Sequence, residues 1–141
     1  VLFDLLEESK KLISLCSVSS EGTREIIEHL APFCQKLGFH LTFQSPEEDN
    51  SSRQVNLIAH TVSKDSQNLC PHGLMMGTHL DTVPPGNPFL WTETGQDPFC
   101  ATVKEGKIYG LGSADTKLDF LCKLQAIEKV GLKNIKVPLA L

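Results

Sequence analysis

Segments with helical spacing of apolar residues alternate along this 141-residue chain with short β-rich runs, and that order leaves few folds open. Leu2, Leu5, Leu6, Leu12, Ile13 and Leu15 give a first helix an apolar side up to about Cys16, where "SVSSEG" breaks it. A second helix from about Thr23 uses Ile26, Ile27, Leu30, Phe33 and Leu37 and stops at Gly38, with Pro32 inside it as a point of kinking. "FHLTFQ" then alternates as a half-exposed strand does, whereas "QVNLIAHT" and "GLMMGTHL" are more continuously apolar, as central strands are. The polar stretches "SPEEDNSSR" and "SKDSQNLCPH" between them read as loops.

A long loop follows from Val83 to Pro98, and "CATVKEGKIYG" reads as a hairpin turning at "EG". A last helix opens near Asp115, carries Leu118, Leu121, Leu124, Ile127 and Val130, and stops at Gly131. With no repeat or linker dividing it, the chain is expected to be one α/β domain of three layers, helices covering a mixed sheet. It begins at Val1 already in helical pattern and stops at Leu141 inside the strand-like "IKVPLAL", so a fragment trimmed at both ends is expected.

Charge and cysteines narrow the function. Thirteen basic and seventeen acidic side chains, spread without blocks, argue against nucleic-acid and anionic-membrane partners. No apolar stretch approaches the roughly 20 residues that span a bilayer. Five widely spaced cysteines with no C-x-x-C pair fit neither a disulfide framework nor a thiolate zinc site and point to a reducing, cytoplasmic setting.

The chemistry gathers where "GTHLDTVPPG" passes from apolar run to loop. His79 and Asp81, two positions apart, share a face of an extended chain and can meet a common partner. Asp115, after "GLGSA", is placed at a helix start that favours an ionised carboxylate. An imidazole held by a neighbouring carboxylate, together with a carboxylate from another element end, is the kind of donor set that binds zinc. Lone histidines mostly pack or face solvent, and His29, His40, His60 and His72, which lack metal spacing, are read that way. Trp91, Pro98, Phe99 and Tyr109 are read as shaping the loop and hairpin, and Lys117 as a solvated lysine.

The run from Gly77 to Lys117 resembles the zinc-dependent exopeptidases and deacylases of the acetylornithine deacetylase, succinyl-diaminopimelate desuccinylase and glutamate carboxypeptidase type. It is similar to their "G-H-x-D-x-V-P", "W", "D-P-F" and "G-x-x-Y-G-x-G-x-x-D-x-K" series in order and spacing. The resemblance implies His79 as ligand of one metal, Asp115 as the carboxylate bridging two, Asp81 as the partner orienting His79, and a cis peptide at Asp115–Thr116. It implies two divalent ions, zinc above all with cobalt or manganese as alternatives, and a small acyl-amino acid or peptide substrate.

It further implies that residues 1–141 are the N-terminal part of a catalytic metal-binding domain. The general base, the remaining ligands and a smaller lid or dimerisation domain, which would make the full-length protein a homodimer, would lie beyond Leu141. The fragment alone is therefore expected to be inactive. Leu111, Thr116 and "LDF" after Lys117 depart from the pattern, where arginine, methionine and glycines are usual. Deacylase and peptidase stay open.

Rival readings are weaker. "GLGSAD" lacks the third glycine and the preceding βαβ unit of a dinucleotide loop, and no G-x-S-x-G elbow or cysteine-nucleophile signature is present. A catalytically silent binding or scaffolding module of the same fold is the alternative from another class. A flavodoxin-like binding domain would keep His79 well away from Asp115.

Overall fold

The computed structural model describes residues 1–46, 52–62 and 72–141. Residues 47–51 and 63–71 of the two expected polar loops, with Cys70, lie outside the described residues.

Helix α1 spans Leu5–Ser14. Its start is fixed by Asp4, whose carboxylate accepts from the Glu7 N–H at 2.9 Å, and Glu7 and Glu8 complement the dipole in the first turn. Helix α2 spans Arg24–Leu37, continues through Pro32 and ends at Gly38 in the left-handed region, where Phe39 N–H bonds to Cys34 O. Helix α3 spans Lys117–Val130 and ends at Gly131.

The sheet has the order β1 (His40–Gln44), β2 (Asn56–His60), β6 (Leu139–Ala140), β3 (Leu74–Met75). β1 with β2 and β2 with β6 pair antiparallel, and β3 with β6 parallel, so the sheet is mixed, as expected. Strands β4 (Thr102–Lys104) and β5 (Lys107–Tyr109) form the expected separate hairpin. Its turn residues Glu105 and Gly106 have φ of 52° and 73°, the doubly left-handed pair that matches strand twist in a two-residue turn.

Leu12, Ile26, Leu30, Leu121 and Leu124 are fully buried, and all three helices contribute to one core cluster with Ala59, Leu80, Leu139 and Leu141. Leu41 and Leu57 pack against that cluster, whereas His40, Thr42, Asn56, Ile58 and His60, on the alternate positions of β1 and β2, are outside it. Helix-on-sheet packing is therefore present on the face that carries Leu41, Leu57 and Ala59.

Two expectations change. Among the described residues "GLMMGTHL" is not a central strand: only Leu74–Met75 pair, beside β6 at the edge of the described sheet, with Met75 81% exposed, and Met76 and Leu80 turn into the core after the strand ends. Helix α3 starts at Lys117 rather than at Asp115, after a series of turns, and its buried stripe includes Phe120 while Val130 is exposed.

Candidate metal centre

His79 and Asp81 sit four and six residues past the end of β3, and Asp115 lies two residues before α3. The fold brings them together: His79 Nε2 lies 3.0 Å from Asp115 Oδ1. The flavodoxin-like alternative, which required separation, is set aside by that contact. The other ring nitrogen, Nδ1, lies 3.2 Å from the Asp81 carbonyl oxygen and 3.4 Å from Asp81 Oδ1. The ring is therefore held chiefly by the Asp81 backbone rather than by its carboxylate alone. That carbonyl foremost, with Asp115 and the Asp81 charge also contributing, raises the His79 pKa from its usual value.

Backbone ties set these positions. Thr116 Oγ1 donates to His79 O at 2.6 Å, linking the Asp115 turn to the histidine directly. The peptide between Asp115 and Thr116 is cis, as the sequence resemblance implies. Thr78 Oγ1 donates to Asp119 Oδ2 at 2.7 Å, and Lys123 Nζ donates to Asp119 Oδ2 at 2.6 Å and to Gly77 O at 2.8 Å. Asp119 belongs to the "LDF" that departs from the glycines usual in similar sequences. Here it clamps α3 onto the residues just before His79.

Lys117 corrects the sequence reading most sharply. It is not solvated but fully buried, its Nζ donating to Leu15 O at 2.7 Å and Leu12 O at 3.2 Å. These are carbonyls at the C-terminal end of α1, where no intrahelical donor remains and a cation is favoured. No carboxylate pairs with it among the described residues, and burial pushes its pKa down to about 8. The signal was present in the sequence: 117, 120, 121 and 124 fall on one helical stripe, and the other three are apolar. Asp115 does not cap α3, since Thr116 occupies that place without a side-chain bond.

The remaining histidines are elsewhere. His29 Nε2 bonds to Glu8 at 2.7 Å between α1 and α2, and the rings of His40 and His60 face each other across β1 and β2. Trp91 Nε1 donates to Pro85 O at 2.8 Å, closing the loop as expected. Among the described cysteines all are free, and burial raises the Cys34 thiol to about 12.

The donor types at His79 and Asp115 suit zinc or a similar cation, and two ligands of one tetrahedral ion stand about 3.3 Å apart, close to the observed separation. A closed or catalytic zinc site needs three or four protein ligands. Among the described residues no group of three or more His, Cys, Asp or Glu side chains could hold a metal. The pair thus fits part of a cage.

Residues 75–141 match a family model described as Peptidase family M20/M25/M40. Acetylornithine deacetylase of Vibrio parahaemolyticus is 34% identical over 140 residues, 95% of this chain and 33% of that protein. Succinyl-diaminopimelate desuccinylase of Wolbachia is 37% identical over 114 residues, 81% of this chain and 26% of that protein. The crystal structure of human carnosine dipeptidase 1 superposes with a TM-score of 0.72 at 20% identity, over 96% of this chain and 30% of that one. The chain spans about a third of the length of the relatives it matches.

Proposed function

We propose, from the match of residues 75–141 to a family model described as Peptidase family M20/M25/M40, that the chain is the N-terminal part of the catalytic domain of a dinuclear metal-dependent amidohydrolase. Its substrate class is an N-acyl amino acid or a short peptide. The relatives named above are hydrolases of this family. The observation that carries the reading is the 3.0 Å approach of His79 Nε2 to Asp115 Oδ1 from two separate elements.

His79 would bind one divalent ion through Nε2, with Nδ1 held by Asp81, and Asp115, with its two oxygens, would bridge to a second. The chemistry supplied by a bound divalent pair is Lewis acidity, which polarises an amide carbonyl and lowers the pKa of water. This chain's own contribution is orientation. The Asp81 carbonyl engages Nδ1 and would leave Nε2 for a cation, and Thr116 and the Asp119–Lys123 clamp set the backbone on either side. The general base and remaining ligands would be supplied by sequence beyond Leu141, as would a lid or dimerisation domain, making the active species a homodimer. A cytoplasmic location rests on the free cysteines; no helix among the described residues is long and apolar enough to cross a membrane.

The test is metal content and turnover of the full-length protein with N-acyl amino acids and dipeptides, beside His79→Ala and Asp115→Ala. Loss of bound zinc and a fall in kcat/KM of at least about a hundredfold in both variants is expected. Full metal loading in both variants would overturn the reading, as would robust hydrolysis by residues 1–141 alone.

A further inference from the structure

Both halves of the candidate metal centre are fastened to one short stretch near the start of the chain. After α1 the backbone forms a parallel bridge between Val18 and Thr82, with Thr82 N–H bonding to Ser17 O at 2.9 Å and Ser19 N–H to Thr82 O at 3.0 Å. Ser17 is fully buried, its Oγ donating to Leu80 O at 2.6 Å. Ser19 is exposed, and its Oγ donates to Asp81 Oδ2 at 2.7 Å. On the other side Lys117 Nζ reaches Leu12 O and Leu15 O. The same eight residues therefore grip the segment after His79 and the segment after Asp115.

We propose that Ser19 and Lys117 are positioning residues of the candidate metal centre, Ser19 aiming the Asp81 carboxylate at His79 and Lys117 fixing the turn that carries Asp115. The proposal rests on the metal-centre reading. A carboxylate turns easily about its last torsion, which has a broad, twofold profile. With Oδ2 engaged by the Ser19 hydroxyl, Oδ1 is the oxygen left facing His79 Nδ1, at 3.4 Å. The hydroxyl thus acts through Asp81 on the imidazole and touches no reacting atom itself. Lys117 acts by a different route. Its stem lies against Gly112, where an added Cβ would stand 2.8 Å from Lys117 Cδ, and its ammonium uses two donors on α1. The turn from Gly112 to Lys117 is thereby pinned at both its ends, with Asp115 between them.

Partners that orient a metal-bound histidine typically change affinity 10- to 100-fold when removed. Ser19 stands one bond further out, so about a tenfold loss is expected. The experiment titrates cobalt(II) into the metal-free full-length protein, following the visible absorption of the bound ion and its Kd. Ser19→Ala should weaken binding about tenfold and alter the absorption bands, and Ser19→Thr, which keeps the hydroxyl, should restore both. Lys117→Met should weaken binding at least as much, and wild-type binding in that variant overturns the Lys117 half of the proposal; if it does not fold, Gly112→Ala, whose new methyl displaces the lysine stem, is measured in its place with the same two outcomes. Wild-type Kd and spectrum in Ser19→Ala overturn the proposal while His79→Ala still abolishes binding. If His79→Ala binds cobalt as wild type does, the metal-centre reading falls and the brace with it.

Discussion

The site is tied down on two sides, and the two ties differ in kind. On the α1 side, Lys117 is buried and donates to two backbone carbonyls. On the outer side, Lys123 and Asp119 form an ion pair in which the Asp119 side chain is 50% exposed. Both join α3 to a neighbouring segment with a lysine, yet solvent competes for only one of them. Water and salt compensate when an exposed pair is broken; nothing replaces a donor removed from a dry carbonyl. The buried tie should therefore carry most of the energy, and the exposed one should adjust local geometry.

Lys117→Ala gives the largest expected effect. It leaves a cavity and two carbonyls without a donor, and a loss of about 3 kcal/mol in unfolding free energy by denaturant titration is expected. A loss no larger than that of Lys123→Ala would break the comparison. Gly112→Ala comes next, at about 2 kcal/mol, because φ of 81° disfavours any side chain and the new methyl strikes the lysine stem.

The Thr82 hydroxyl is buried without a partner among the described residues, so Thr82→Val should raise stability by about 1 kcal/mol in the same titration. That gain would sharpen the point that polar satisfaction sets the energy on the buried side. Asp119→Asn should cost the least, about 0.5 kcal/mol, with the effect shrinking in high salt. The Lys123 hydrogen bond, and after it that from Thr78, hold the Asp119 carboxyl below its ordinary value. Its contribution is complete above the usual carboxylate range and is lost as pH falls through the lowered folded value. Wild-type and Asp119→Asn stabilities should accordingly converge as pH falls below about 4.

Much of this was readable from residue patterns. Helix spacing placed α1 and α2, "EG" placed the hairpin, and Gly38 and Gly131 marked helix ends, because each depends on local geometry. The approach of His79 to Asp115 followed from motif order. What escaped depended on distant packing. Lys117 was misread because lysines are rarely buried, although its place on the apolar stripe of α3 pointed inward. The roles of Ser17 and Ser19 are invisible locally, since their partners lie more than sixty residues later. The apolar run around Leu74 suggested a central strand because a continuous apolar pattern does not say which of its residues a bend will redirect.

The link between Lys117 and Leu12 spans 105 positions in sequence. A ribosome adding about 5–20 residues per second needs about 5–20 s to bridge that interval. Throughout it, the end of α1 must leave its last carbonyls to water. An early helix thus waits for a late residue, and the two segments that carry His79 and Asp115 can close onto it only after both have emerged.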